Sequence, residues 1–176
     1  MERKRTVMEE QKNSYFPLFV DMSGKTVLFV GGGRVVQRRI EAFMSVVNVS
    51  SEKQERQSGG LQIIVAAPEV TEQIDKYVRD GYIWWKRKPF SEDDVDGADY
   101  VIAATNDMDV NQRISELCRQ RGIPVNDAGK KENCDFYFPG IAVKGDLVAG
   151  ITASGNSHSL TKQVTEAVRE LFYRLK

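Results

Sequence analysis

The chain has 176 residues, enough for one domain with a full core and a small appendage. Its 25 basic and 25 acidic residues cancel, which argues against a general nucleic-acid binder but leaves room for a local basic patch facing an anionic ligand. Two cysteines, Cys118 and Cys134, lie outside any CxxC pair and read as reduced thiols, and the single histidine, His158, excludes a multi-histidine metal site.

Residues 1–13 are polar and aperiodic and read as a flexible tail. The charged start MERKRTVMEEQKNS has no apolar stretch behind it, and no run approaches membrane-spanning length. The expected compartment is therefore the cytoplasm, with no membrane partner. Thr26–Val30 is a short apolar run ending in glycines, a buried strand. Residues 34–46 follow as a helix, with Val35, Val36, Ile40, Phe43, Met44 and Val47 at helical spacing. Residues 48–60 are polar, contain Ser-Gly-Gly, and read as an exposed loop insertion without a catalytic role.

A second strand over 61–66 ends before Pro68, and 70–79 is helical, with Val70, Ile74 and Val78 four apart. Strands are expected over 82–85, 100–104 and 123–125, a capping box at Ser91 and Asp94, and a helix over 109–121 ending at Gly122. This alternation predicts a parallel sheet with helices on both faces. Residues 136–143 and 147–152 are strand-like and joined by Lys144-Gly145-Asp146, a hairpin signal. A final helix over 157–175 carries an apolar stripe of Leu160, Val164, Ala167, Val168, Leu171, Phe172 and Leu175. A hairpin and one helix are too little for a separate core, so they are expected to pack on the first domain, a second copy of the chain, or both.

The segment VLFVGGGRVVQRR places a strand, a glycine turn and a helix start in the order a dinucleotide site requires. Gly31-Gly32-Gly33 forms the turn: Gly31 allows it to be tight, and Gly33 lets backbone approach a pyrophosphate. The amides of Arg34 and Val35 open the helix toward phosphate oxygens. Val36 stands where GxGxxG has its third glycine, a side chain expected to push the helix off the strand. An acid usually follows the glycines by about 20 residues and binds the ribose hydroxyls. Glu69 lies 36 residues after Gly33, and without the 13-residue insertion the gap is 36 − 13 = 23. With no basic residue between Glu69 and Lys76, NAD is expected over NADP. Glu69 reads equally as a first-turn acid of the next helix. Thr105-Asn106 end the fourth strand, where open α/β sheets place ligands, and Asn106-Asp107 also suits a helix N-cap.

YFPLFVDMSGKTVLFVGGGRVV, VAAPE, DYVIAATND and CDFYFPGIAVKGDLVAGITASG, in that order, resemble the precorrin-2 dehydrogenase family, the NAD-dependent part of siroheme synthases. The resemblance covers about residues 14–170. It implies a Rossmann-type parallel sheet over 14–127, a β-hairpin dimerisation region over 128–156 and a C-terminal helix over 157–176, with most of the family's helical domain absent or reduced. The implied reaction is oxidation of precorrin-2 to sirohydrochlorin by NAD, in some members followed by insertion of ferrous iron, in a homodimer. Arg34, Val35, Pro68 and Glu69 fall on the family's NAD-contacting positions.

The family's aspartate after the fifth strand is replaced by Gly129, and Asp127 lies two residues earlier. In the small-residue turn after the hairpin, His158 stands at the family's proline. The candidate bases are Asp127, His158 and Asp135, in that order. Lys130, Lys131 and Lys144, with Lys162 and Arg38 behind them, are the candidate partners for tetrapyrrole carboxylates. No metal ligand set is read. The competing readings are a non-catalytic NAD- or tetrapyrrole-binding module and a ferrochelatase without the redox step.

Overall fold

The computed structural model describes residues 15–47 and 59–175. The expected tail and nearly all of the 48–60 insertion lie outside them. The described residues form seven strands and four α-helices: β1 Thr26–Val30, α1 Arg34–Met44, β2 Gln62–Ala66, α2 Glu72–Arg79, β3 Ile83–Lys86, β4 Tyr100–Ala103, α3 Met108–Arg121, β5 Val125–Asp127, β6 Gly140–Lys144, β7 Leu147–Ile151 and α4 His158–Arg174.

The first five strands form one parallel sheet in the order β3-β2-β1-β4-β5. Alternate side chains of β1 feed two cores. Val27 and Phe29 pack with Val36, Ile40 and Ile74 of α1 and α2, while Leu28 and Val30 pack with Ile114 and Cys118 of α3. A strand buried on both faces explains why 26–30 is continuously apolar rather than alternating. The chain leaves β1 toward β2 on one side and returns to β4 on the other, so the sheet's switch point lies between β1 and β4, above their carboxyl ends.

The fifth strand starts two residues later than its apolar pattern suggests. Gly122 adopts a left-handed conformation and the Ile123 amide donates to the Cys118 carbonyl, 2.9 Å away, so Ile123 closes α3 instead of opening β5. Polar Asn126 and Asp127 then occupy the strand because their side chains bond the segment that follows. The 136–139 stretch is not strand. Phe136 and Phe138 pack edge-on with Tyr100 and Phe43 over the α1 face, and pairing in the hairpin begins at Gly140. The hairpin turns through Gly145, at φ +54°, and lies along α4. Gly140 packs so closely on α4 that a Cβ there would sit 2.1 Å from the Thr165 hydroxyl.

The capping box at Ser91 and Asp94 is present, closing a 3₁₀ turn over Glu92–Val95. Asp94 is buried and accepts bonds from Lys86, Lys88, and the Ser91 amide and hydroxyl at 2.8–3.1 Å. Burial raises its pKa, but the bonds from Lys88, Ser91 and Lys86 overcome this and hold it at about 2. A carboxyl held below its ordinary value adds stability above about pH 4 that disappears as the pH falls through about 2. Asp94→Asn is therefore expected to cost about 2 kcal/mol at neutral pH, with the gap to wild type closing between about pH 4 and pH 2 in denaturant titrations. An unchanged gap at low pH would contradict this.

Candidate dinucleotide site

A cleft of about 600 Å³ opens at the carboxyl ends of β1, β2 and β4, the place the switch point dictates. Gly31, Gly32, Gly33, Pro68, Glu69, Thr105 and Asn106 all line it. Arg34 and Val35 follow as the exposed first residues of α1.

Each glycine of the turn does a different job. Gly31 has φ +118°, and a Cβ there would lie 2.4 Å from the Ala104 carbonyl oxygen, so only glycine lets β1 pass β4 so closely. At Gly32 a Cβ would sit 1.9 Å from the Glu69 carbonyl oxygen, and the Gly32 carbonyl accepts from the Thr71 amide at 3.0 Å. This contact, which ties the turn to the β2–α2 loop, has no signal in the motif beyond a glycine at the position that GxGxxG leaves open between its first two glycines. Gly33 has open space within 4 Å and is the N-cap of α1 without a side-chain cap. The first turn of α1 holds no acid. The helix start beside the cleft-lining Gly33 thus has neither a side-chain cap nor an acid, an arrangement that suits an anion such as a pyrophosphate. Val36, at the third-glycine position, is fully buried in the α1–sheet core.

Glu69 is exposed and precedes the Thr71 N-cap of α2, whose first-turn acids are Glu72 and Asp75. Its place is thus the cleft rim and not the helix. Thr105 is engaged within its loop: its amide and hydroxyl both donate to Asn111 Oδ1, at 3.0 and 2.8 Å. Asp107, not Asn106, caps α3, accepting from the Asp109 and Val110 amides. Asn106 is left exposed at the lip. Sequence reading missed the opposite wall, Pro89 to Glu92 with Val110 and Arg113, because nothing local marks a β3 loop that folds over a distant strand end.

Of the three candidate bases, Asp127 alone stands at the carboxyl end of a sheet strand. Asp127 is buried at the end of β5. Its Oδ1 accepts from the Gly129 and Lys130 amides at 2.8 and 3.2 Å, and its Oδ2 from Asn133 Nδ2 at 2.9 Å. Gly129 touches the α3 start, since a Cβ there would meet the Met108 thioether at 2.4–2.6 Å. Asp135 extends the β5 edge. Its amide and one carboxylate oxygen pair with the Val125 carbonyl and amide, each at 2.9 Å. His158 is the exposed first residue of α4, behind its Ser157 cap.

Lys130 and Lys131 flank Asp127. Lys130 donates to Gln112 at 3.4 Å, and Lys131 to the Ser154 carbonyl at 2.9 Å. Lys144 instead donates to the Leu175 carbonyl at the far end of α4, roughly 25 Å of helix from the Ser154 turn. It is not brought together with the other two. Arg39 of α1 was not singled out by sequence. Its guanidinium lies 4.8 Å from the Phe138 ring centroid, and burial lowers its pKa to about 10, so it stays charged at neutral pH. Burial also pushes the Cys118 thiol up to about 11 and raises that of Cys134, in keeping with unreactive thiols. Among the described residues no three His, Cys, Asp or Glu side chains gather to hold a metal, and no helix is long and apolar enough to cross a membrane.

A family model described as "Putative NAD(P)-binding" matches residues 18–140. The "Probable multifunctional siroheme biosynthesis protein HemA" of Ruminiclostridium josui is 32% identical over 157 residues, 89% of this chain and 28% of that protein. "Siroheme synthase 2" of Yersinia pestis (strain Pestoides F) is 32% identical over 157 residues, 89% of this chain and 30% of that protein. The chain thus spans less than a third of the length of these curated relatives. Among solved structures, "SirC, precorrin-2 dehydrogenase" matches with a TM-score of 0.68 and 27% identity, over 89% of this chain and 71% of that one. The glycine turn, the switch-point cleft and the matched family model converge: the chain belongs to the family of putative NAD(P)-binding domains, and it shares its fold with a precorrin-2 dehydrogenase.

Proposed function

We propose that this chain oxidises precorrin-2 to sirohydrochlorin in siroheme biosynthesis, using NAD, as a homodimer joined through the hairpin region. The observation that carries the reading is the turn at Gly31–Gly33, which lines the cleft, is shaped by two backbone contacts and leads into a helix start without a side-chain cap. The names of the relatives supply the substrate class. NAD is preferred over NADP because Glu69 stands at the cleft rim, where a carboxylate suits free ribose hydroxyls.

NAD, when bound, supplies the hydride acceptor. The chain's own residues supply position and proton handling. The amides of Arg34 and Val35 hold the pyrophosphate, Pro68 and Glu69 the adenosine ribose, and Thr105 and Asn106 the far ribose. Asp127 is the first candidate to accept the second hydrogen as a proton. Its Oδ1 carries two hydrogen bonds but Oδ2 only one, which leaves a lone pair on Oδ2. His158 and Asp135 stand behind it. Lys130 and Lys131, beside the same loop, are the proposed partners of the substrate carboxylates. Exposed Leu147 on the hairpin and Leu160 on α4 give the dimer face an apolar surface.

Incubating the protein with precorrin-2 and NAD without oxygen is expected to yield NADH and the sirohydrochlorin spectrum. NAD binding without turnover would move the chain to the second reading, a non-catalytic binding module. That reading is favoured by one observation: every carboxylate oxygen of Asp127 already serves the loop.

A further inference from the structure

We propose that a second cleft, between α1 and α2, is a phosphate-monoester subsite that lets the chain bind a 2′-phosphorylated dinucleotide as well as NAD. The inference rests on the dinucleotide reading of the first cleft. The second cleft, about 580 Å³, is lined by Arg34 and Gln37 of α1 and by Thr71, Glu72, Lys76 and Arg79 around α2. Thr71 lines both clefts, so they adjoin at the β2–α2 loop, on the adenosine side of the glycine turn.

The charges of this cleft are arranged for an anion. Arg79 is engaged by Asp75 at 3.2 Å, and Gln37 by Glu41 at 2.9 Å. Arg34 and Lys76 have no ion pair or hydrogen bond from their side chains among the described residues, leaving two cations against the single carboxylate of Glu72. Lys76, in the last turn of α2, suits its helix dipole. Arg34 does not: it stands in the first turn of α1, where the dipole disfavours a cation and no acid answers it. An arginine at this place beside the adenosine ribose is a known means of accommodating a 2′-phosphate. Linear spacing hid the arrangement, because Arg34 and Lys76 are 42 residues apart and meet only across the two helices. Glu69 faces the first cleft and not the second, so the acid that reads free hydroxyls and the cations that read a phosphate coexist.

The test is calorimetric titration of the whole chain with NAD, NADP, 2′,5′-ADP and ADP, each with and without inorganic phosphate. NADP is expected to bind within about tenfold of NAD. Lys76→Gln should weaken NADP and 2′,5′-ADP about fivefold with NAD unchanged, and Arg34→Gln should lower the NADP:NAD affinity ratio. Inorganic phosphate should compete with NADP and 2′,5′-ADP but not with NAD or ADP. NAD binding without NADP binding would overturn the subsite alone, as would a Lys76→Gln protein that binds NADP like wild type. So would phosphate competing equally with all four ligands, which would mark a free-phosphate site elsewhere. Binding of neither dinucleotide would overturn the first-cleft reading and this inference with it.

Discussion

Gly32→Ala is expected to cost at least about 3 kcal/mol of folding stability, while Gly33→Ala, one residue on, leaves stability within about 0.5 kcal/mol of wild type but lowers NAD affinity about a hundredfold. The contrast follows from what each new methyl group meets. At Gly32 it would sit 1.9 Å from the Glu69 carbonyl oxygen and 2.9 Å from the Val70 Cα, backbone atoms that move only if the turn and the β2–α2 loop separate. That separation would also break the 3.0 Å bond from the Thr71 amide to the Gly32 carbonyl. At Gly33 the methyl meets nothing within 4 Å, and φ −83° with ψ −174° is a backbone any residue adopts. Its cost falls on what approaches the uncapped amides of α1. Chemical denaturation and NAD titration of the two variants separate the effects. A stable Gly32→Ala protein, or a Gly33→Ala protein that binds NAD like wild type, would contradict this assignment of the turn.

Asp127→Asn is expected to lower turnover by 10²- to 10⁴-fold, the range set by removing a positioned base, with NAD affinity unchanged. Asparagine keeps an oxygen for the Gly129 and Lys130 amides but cannot take up a proton at the second position. Asp127→Ala should lose the three bonds that shape residues 127–133 as well, and cost a further 2–4 kcal/mol or about that in stability. If Asp127→Asn keeps its turnover while Asp127→Ala unfolds early, Asp127 is a loop anchor and the proton goes elsewhere. His158→Gln then decides between His158 and solvent by whether turnover falls.

The parallel sheet was legible because its strands are buried on both faces and read as unbroken apolar runs, as in 26–30. Gly122 likewise announced the end of α3. The fifth strand was misplaced because Asn126 and Asp127 are polar yet buried. What lets them be so is bonding to Phe136 and to 129–133, which is tertiary and leaves no local trace. Phe136 and Phe138 looked like strand residues for the related reason that spaced aromatic residues also suit a loop laid over a helix face. Of the cleft, the glycine turn and the strand ends could be read directly, since fold rules put ligands there. The β3 loop wall, the Gly32–Glu69 contact and the neighbouring basic cleft could not, because each joins residues far apart in sequence.

The most direct test of the central claim follows the hydrogen itself. Precorrin-2 carrying deuterium at the carbons that lose hydrogen is incubated with the protein and unlabelled NAD in the absence of oxygen. If the cleft at Gly31–Gly33 serves the oxidation, one NADH should form for each sirohydrochlorin, with deuterium recovered in the NADH, and Gly33→Ala should lose both together. Sirohydrochlorin formed without NADH, or NADH formed without label, would contradict it.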